Sequence, residues 1–162
     1  MKLCYLGLGG NISNELGTPT EHIYNAVATL ENALEFEAVK LSSLYRSKAF
    51  GVTDQPDFIN AVVACQTTLS PHELLEFCQQ LEQKAGRVRL RRWGERSLDV
   101  DVLLYDDAEI NEPHLIIPHG GLMERNFVLI PLLELNPNLM VHDKRLSDLP
   151  VSQDWTGLEK LV

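Results

Sequence analysis

A chain of 162 residues with a formal net charge of -9 is poorly suited to general nucleic-acid binding, because that affinity comes mainly from cationic neutralisation of phosphates. With 44% hydrophobic and 23% charged residues, its composition is that of an ordinary globular protein, read as one domain over residues 1–162, and it excludes a disordered or membrane-spanning chain. Cys4, Cys65 and Cys78 are odd in number, lack metal-type spacing and sit in apolar runs, so they read as small buried residues in a reducing compartment, and cytoplasmic is the expected location.

Residues 2–9 read as a first strand ending in the turn Gly9-Gly10-Asn11, the apolar run being too short for a signal peptide. Thr18, Pro19 and Glu21 form the start signal of a helix, in which Ile23, Ala26, Val27, Leu30, Ala33 and Leu34 keep one apolar face. Residues 38–47 alternate as a second strand, 48–57 carry Gly51 and Pro56 and read as a loop, and 58–69 (FINAVVACQTTL) are apolar enough for a central strand. Ser70, Pro71 and Glu73 repeat the helix signal, with Leu74, Cys78, Leu81 and Ala85 as its buried stripe and Gly86 as its stop. A strand carrying Asp99 follows, and the last sixty or so residues, from about Asp106, form an extension with a short helix near 126–135. The order β-α-β-β-α-β is that of an α+β, ferredoxin-like sandwich with both helices on one face of the sheet.

The chemistry concentrates between Arg87 and Leu104, in RVRLRRWGERSLDVDVLL. Arg87, Arg89, Arg91, Arg92 and Arg96 are five of the chain's eight arginines, an unusual local density in an acidic protein. Leu98, Val100, Val102 and Leu104 alternate with Asp99, Asp101 and Leu103, a period of two that puts both aspartates on one strand face, ~6.6 Å apart at Cα. Two carboxylates so placed repel each other and are costly to bury, and a divalent cation between them relieves both problems. Arginines beside a metal pair are the parts needed to handle a polyphosphate. Gly7-Leu8-Gly9-Gly10 lacks the third glycine of a dinucleotide fingerprint and no phosphate-cradling GxxxxGK[ST] loop occurs, so an ATP site here must rest on metal and arginine.

Five separated segments, YLGLGGN at 5–11, DQPDFINAV at 54–62, LEQKAGRVR at 81–89, RWGERSLDVDVLLY at 92–105 and IPHGGLMERNFVLIPL at 117–132, together resemble the hydroxymethyl-dihydropterin pyrophosphokinase family of folate biosynthesis. The resemblance runs to about Pro137. It implies a ferredoxin-like fold and transfer of the pyrophosphoryl group of ATP to a pterin alcohol with release of AMP. It also implies two Mg²⁺ ions held by Asp99 and Asp101, and Arg87 and Arg96 on the phosphates as the catalytic pair. For ATP it points further to Gln79, Glu82, Trp93, Ile117, His119 and Arg125. For the pterin it points to Phe58 and Phe127 on the ring faces, Asn60 on its hydrogen-bonding edge, and Ser47, Phe50, Trp93 and Asp99 around it. A flat polar heterocycle is well served by two aromatic faces and an amide that both donates and accepts. The implied partners are ATP and the pterin alcohol alone, with no nucleic acid or membrane, and a monomer is the expected state.

Several positions depart from the family pattern. Gly10 stands where Ser is usual, Glu95 where Pro is usual, Lys48 and Ala49 where a Pro-Pro pair is common, and His114 and Gly120 where some members carry Arg and Tyr. Loops around Gly51 and Arg91 are expected to close over the substrates, since water must be kept from an activated phosphate. Two other readings compete: the same metal–ATP site serving a different acceptor, and an RNA-binding module using the arginine loop and Trp93. Net charge and the lack of an aromatic central-strand signature weigh against the second.

Overall fold

Alternation along β1 (Lys2–Gly10) divides the architecture into two sides. Cys4, Leu6 and Leu8 enter one buried cluster, whereas Tyr5 enters another on the opposite face. The computed structural model describes residues 1–48, 56–86 and 96–161. After β1 come α1 (Pro19–Asn32), β2 (Phe36–Leu41), β3 (Tyr45–Ser47), β4 (Phe58–Thr67), α2 (Pro71–Lys84) and β5 (Asp99–Tyr105). The antiparallel sheet has β1 between β4 and β5, with β2 and β3 sharing the outer edge of β4. α1 and α2 both pack on the Cys4–Leu6–Leu8 face.

Both helices begin as the residue pattern predicts. Thr18 and Ser70 accept from the backbone N–H of Glu21 and Glu73, and those glutamates accept in return from the cap N–H groups, closing two capping boxes. Gly86 ends the second region at φ +71, a conformation that costs glycine little. Leu34 departs from the expected apolar face: it is 94% exposed, because α1 stops at Asn32 and the chain has turned away before another helical turn would carry Leu34 inward.

The strand expected at 38–47 is two strands. Between them Ser42 keeps contact with β4 through its own N–H to the Val62 carbonyl and its hydroxyl accepting from Val62 N–H, both at 2.9 Å. Glu134 then clamps the break, accepting from Ser43 N–H (2.8 Å), the Ser43 hydroxyl (3.0 Å) and the Tyr45 hydroxyl. Burial alone would raise the Glu134 pKa, but these donors and the charge of Lys160 hold it below the usual carboxylate value. A folded-state pKa below the unfolded one gives stability that is present above pH ~4.3 and lost as pH falls below it. Glu134→Gln is therefore expected to lower stability at pH 7 by about 1 kcal/mol, the site being solvent-exposed, and to differ less from the unaltered chain at pH ~3.5. Urea denaturation at the two pH values measures this; an equal deficit at both would assign the loss to packing.

The extension covers the other sheet face. Asn126–Leu135 (α3), NFVLIPLLEL, is apolar around most of its circumference, and Leu129 and Leu132 are wholly buried against Tyr5, Val62, Leu103 and Leu104. Before it lies the hairpin β6 (Ile110–Glu112) with β7 (Leu115–Ile117), and after it the short pair β8 (Met140–Val141) with β9 (Lys144–Arg145). The last strand, β10 (Leu158–Lys160), joins the main sheet beside β3, an addition the residue pattern does not predict. No described helix is long and apolar enough to cross a membrane.

Candidate active site

β5 presents its aspartates as the period of two requires, with Asp99 opposite Gly9 and Asp101 opposite Gly7 on β1. Both face away from α1 and α2, toward a cavity of about 560 Å³ that they share with Gly7, Gly9 and Leu103. The glycines leave the strand beneath the carboxylates without side chains. A Cβ on Gly9 would lie 2.7 Å from Asn60 Oδ1, so glycine is needed there for Asn60 to lie across β1. The strict alternation expected through Leu104 fails: Leu6 pairs with Val102 but Tyr5 with Leu104, and this one-residue bulge puts Leu103 and Leu104 in the same cluster.

β5 is an edge strand, and the outward N–H of Val100, between the two aspartates, donates to Glu82 Oε2 at 2.8 Å. Glu82 is 9% exposed on α2, so a buried carboxylate fixes the aspartate-bearing strand from behind. On the cavity side Arg96 Nη1 donates to Asp99 Oδ2 at 3.1 Å. Its main chain is pinned as well: Arg96 N–H donates to Asn11 Oδ1 (2.9 Å), and Arg96 O accepts from Asn11 N–H (2.9 Å) and Ile12 N–H (3.3 Å). Asn11 Nδ2 also donates to Pro56 O at 3.0 Å, so one buried amide ties the start of β5 to the approach of β4. Only a turn is legible at Asn11 in the sequence; its sole signal is a polar amide between apolar runs.

His119 closes the next side. Its N–H donates to Leu103 O (3.0 Å), and its Nδ1 accepts from Gly121 N–H (3.0 Å), which leaves Nε2 as the protonated nitrogen of the neutral ring, 3.9 Å from Asp101 Oδ2. Burial and the Arg125 charge push its pKa down, against a smaller upward pull from Asp99, so the ring is neutral near pH 7. Arg125, which caps α3, lines the same cavity.

Phe58, Asn60, Ser47 and Phe127 form the far part of the cavity. Asn60 is 7% exposed and its Nδ2 donates to Ser47 Oγ at 2.6 Å, the partner that a buried amide requires. The structure thus brings Ser47, Phe58, Asn60, Arg96, Asp99, Asp101, Arg125 and Phe127 to one cavity, with His119 beside Asp101. Gln79 is exposed on α2 and Ile117 is buried in the core, and neither is among the described residues that line the cavity. Phe50, Arg87 and Trp93, with Gly51, Ala49, Arg89, Arg91, Arg92 and Glu95, lie outside the described residues. Lys48, Val151, Asp154 and Thr156 also line the cavity, and no motif marks them in the sequence.

Gly10, where the resembling family has Ser, packs directly on the pinned segment. A Cβ there would lie 2.4 Å from Ser97 O and 3.0 Å from Ser97 C, both backbone atoms that cannot swing aside. Restoring the family residue with Gly10→Ser is expected to destabilise this chain by about 1–3 kcal/mol, as overpacking does. A urea midpoint equal to that of the unaltered chain would show that the Ser97 backbone yields freely.

Among the described residues no group of three or more His, Cys, Asp or Glu is arranged to hold a metal ion. A pair of carboxylates over an open floor nevertheless suits Mg²⁺, which keeps waters and is commonly held by one or two carboxylates plus substrate phosphates.

The model of the 7,8-dihydro-6-hydroxymethylpterin-pyrophosphokinase (HPPK) family matches residues 5–137. The 2-amino-4-hydroxy-6-hydroxymethyldihydropteridine pyrophosphokinase of Haemophilus influenzae is 42% identical over 160 residues, covering 99% of this chain and 92% of its own length. Those of Methylorubrum extorquens and Pseudomonas aeruginosa are each 40% identical, over 99% and 97% of this chain and 99% and 95% of their own lengths. With the matched segments threading through β1, β4, β5 and the start of α3, where the cavity is built, the chain belongs to the HPPK family.

Proposed function

We propose that the chain transfers the pyrophosphoryl group of ATP to 6-hydroxymethyl-7,8-dihydropterin, in folate biosynthesis, giving the pterin diphosphate and AMP. The observation that carries this reading is the meeting, in one cavity, of the Asp99–Asp101 pair with Arg96 and of the Phe58–Asn60–Phe127 group with Ser47. The first set suits a polyphosphate and the second a flat, polar ring. Family membership supplies the direction of the reaction. The strand order β2/β3-β4-β1-β5, with α1 and α2 on one face, supports reading the fold as the ferredoxin-like split βαβ sandwich.

In this reading the acceptor hydroxyl oxygen forms a bond to the β-phosphorus as the bond from that phosphorus to the α,β-bridging oxygen breaks, and the hydroxyl proton is lost. Asp99 and Asp101 would hold two Mg²⁺ ions, which when bound neutralise phosphate charge and help align the chain of phosphates. Arg96, with one guanidinium N–H on Asp99, would bring its charge and planar fork to the phosphate oxygens. Neutral His119 and Arg125 would donate to the nucleotide. Asn60 reads the ring edge with the groups that Ser47 leaves available. The loose transition state of phosphoryl transfer asks for positioning and charge stabilisation more than for a strong base.

Incubating the protein with ATP, Mg²⁺ and the reduced pterin alcohol should yield AMP and the pterin diphosphate in equal amounts and no ADP. ADP without AMP would overturn the assigned reaction.

A further inference from the structure

The family match ends at residue 137, yet Val151, Asp154 and Thr156 line the cavity on the side of Phe58 and Phe127. They belong to a strap that runs from the 3-10 turn Pro150–Gln153 to β10. Both ends of the strap are fastened by ordinary means. Val151 packs against the cluster beneath α3, and β10 pairs with β3, setting Leu158 opposite Ser47. Between those ends the segment makes no ladder. Asp154 Oδ1 accepts from Thr156 N–H (3.0 Å) and Leu158 N–H donates to Trp155 O (3.0 Å), contacts that shape the bend without attaching it to the fold.

Lys48 N–H donates to Gly157 O at 3.1 Å at the far end of the bend, and the bend itself is attached by Asn126, the first residue of α3 and the neighbour of Phe127. Its Nδ2 donates to Asp154 O at 2.8 Å and to Thr156 O at 3.0 Å, so one amide nitrogen uses both protons on two carbonyls of the bend. Asn126 is 9% exposed, where such bonds are little weakened by competing water. The Trp155 ring lies against Tyr45, with centroids 6.0 Å apart, and backs the bend from the sheet side. Asn126 therefore couples the helix that carries Phe127 to the strap beside it.

We propose that Asn126 is a positioning residue that holds residues 154–156 as a wall of the acceptor pocket, and that this wall governs affinity for the acceptor without serving the nucleotide. The inference rests on the reading of the cavity as the pterin site. Among the described residues the bonds that hold the bend come from Asn126, Lys48 and the bend itself, apart from the Asp99, Asp101 and Arg96 group that serves the phosphates, so loosening it acts on one substrate. A preformed wall raises affinity by removing the ordering cost that a floppy one would incur on binding.

Two variants test it in the full chain. Asn126→Ala removes both bonds, and Val151→Phe narrows the cavity from the strap with Asn126 intact. Calorimetric titration with a non-hydrolysable ATP analogue and Mg²⁺, followed by the pterin alcohol, should show acceptor affinity falling about tenfold in each variant, with nucleotide affinity within about twofold. In Asn126→Ala, amide exchange at residues 156 and 158 should quicken about tenfold while α1 amides are unchanged, a local effect that general destabilisation would not give. Equal losses of acceptor and nucleotide affinity, or unchanged acceptor affinity in both variants, would overturn the wall. Failure of the unaltered chain to bind the pterin at all would instead overturn the reading of the cavity.

Discussion

Asp101→Asn is expected to lower the rate of AMP formation by at least ~10³-fold while leaving the fold intact. The replacement is nearly isosteric, and Asp101 lies on a cavity wall above Gly7, so nothing in the core has to move. What changes is charge at the point where phosphate charge must be met. Asp99 already shares its charge with Arg96, whereas the nearest ring to Asp101, His119, is kept neutral by burial and by Arg125. In the proposed reading Asp101 shares the metal with Asp99, and an amide oxygen is a far weaker ligand for a hard divalent ion. Titration with Mg²⁺ in the presence of the ATP analogue should show the weakened site directly, and the melting temperature should be unchanged or higher, since one of two neighbouring anions is gone. Turnover within tenfold of the unaltered chain, at saturating Mg²⁺, would remove Asp101 from the metal site.

Arg96→Ala is expected to cost ~10²–10³-fold in kcat/KM, or about 3–4 kcal/mol of transition-state stabilisation, and Arg96→Lys to recover about a tenth of the lost rate. The side chain can be removed without loosening the segment, because the Arg96 N–H and carbonyl are held by the side chain and main chain of Asn11 and by Ile12. The loss should therefore appear in catalysis and leave the urea midpoint near that of the unaltered chain. Lysine keeps the charge but not the planar fork, so it cannot hold Asp99 and a phosphate oxygen in the same geometry. Full activity in Arg96→Lys would show that a point charge suffices; equal destabilisation by both replacements would show that the side chain is chiefly structural.

Much of the architecture is legible in the sequence because it depends on local rules. Capping boxes at Thr18 and Ser70 announce helices that both form where expected, and the two faces of DVDVL separate the aspartates from Val100 and Val102. Expectations fail where a local rule meets a distant partner. The bulge at Leu103 comes from register with β1, the break in the second strand from Ser42 and Glu134, and the exposure of Leu34 from the stop at Asn32. Arg87, Trp93 and Phe50, which the resemblance places on substrate, lie outside the described residues.

The division at the site follows the same physics. Residue type and spacing alone placed Asp99 and Asp101 together on one face, because strand geometry repeats every two residues wherever the strand runs. Resemblance supplied Arg96, Phe58, Asn60 and Phe127 as companions. Only the tertiary structure decided that two glycines clear the floor beneath the aspartates, that Glu82 steadies their strand from behind, and that Asn11 ties its start to β4. Only it brought a strap from beyond residue 150 onto Asn126 to finish the cavity. The hydrogen bonds among them join residues between 18 and 85 positions apart, and no periodicity or local propensity can encode a pairing whose partners meet only when the sheet has closed.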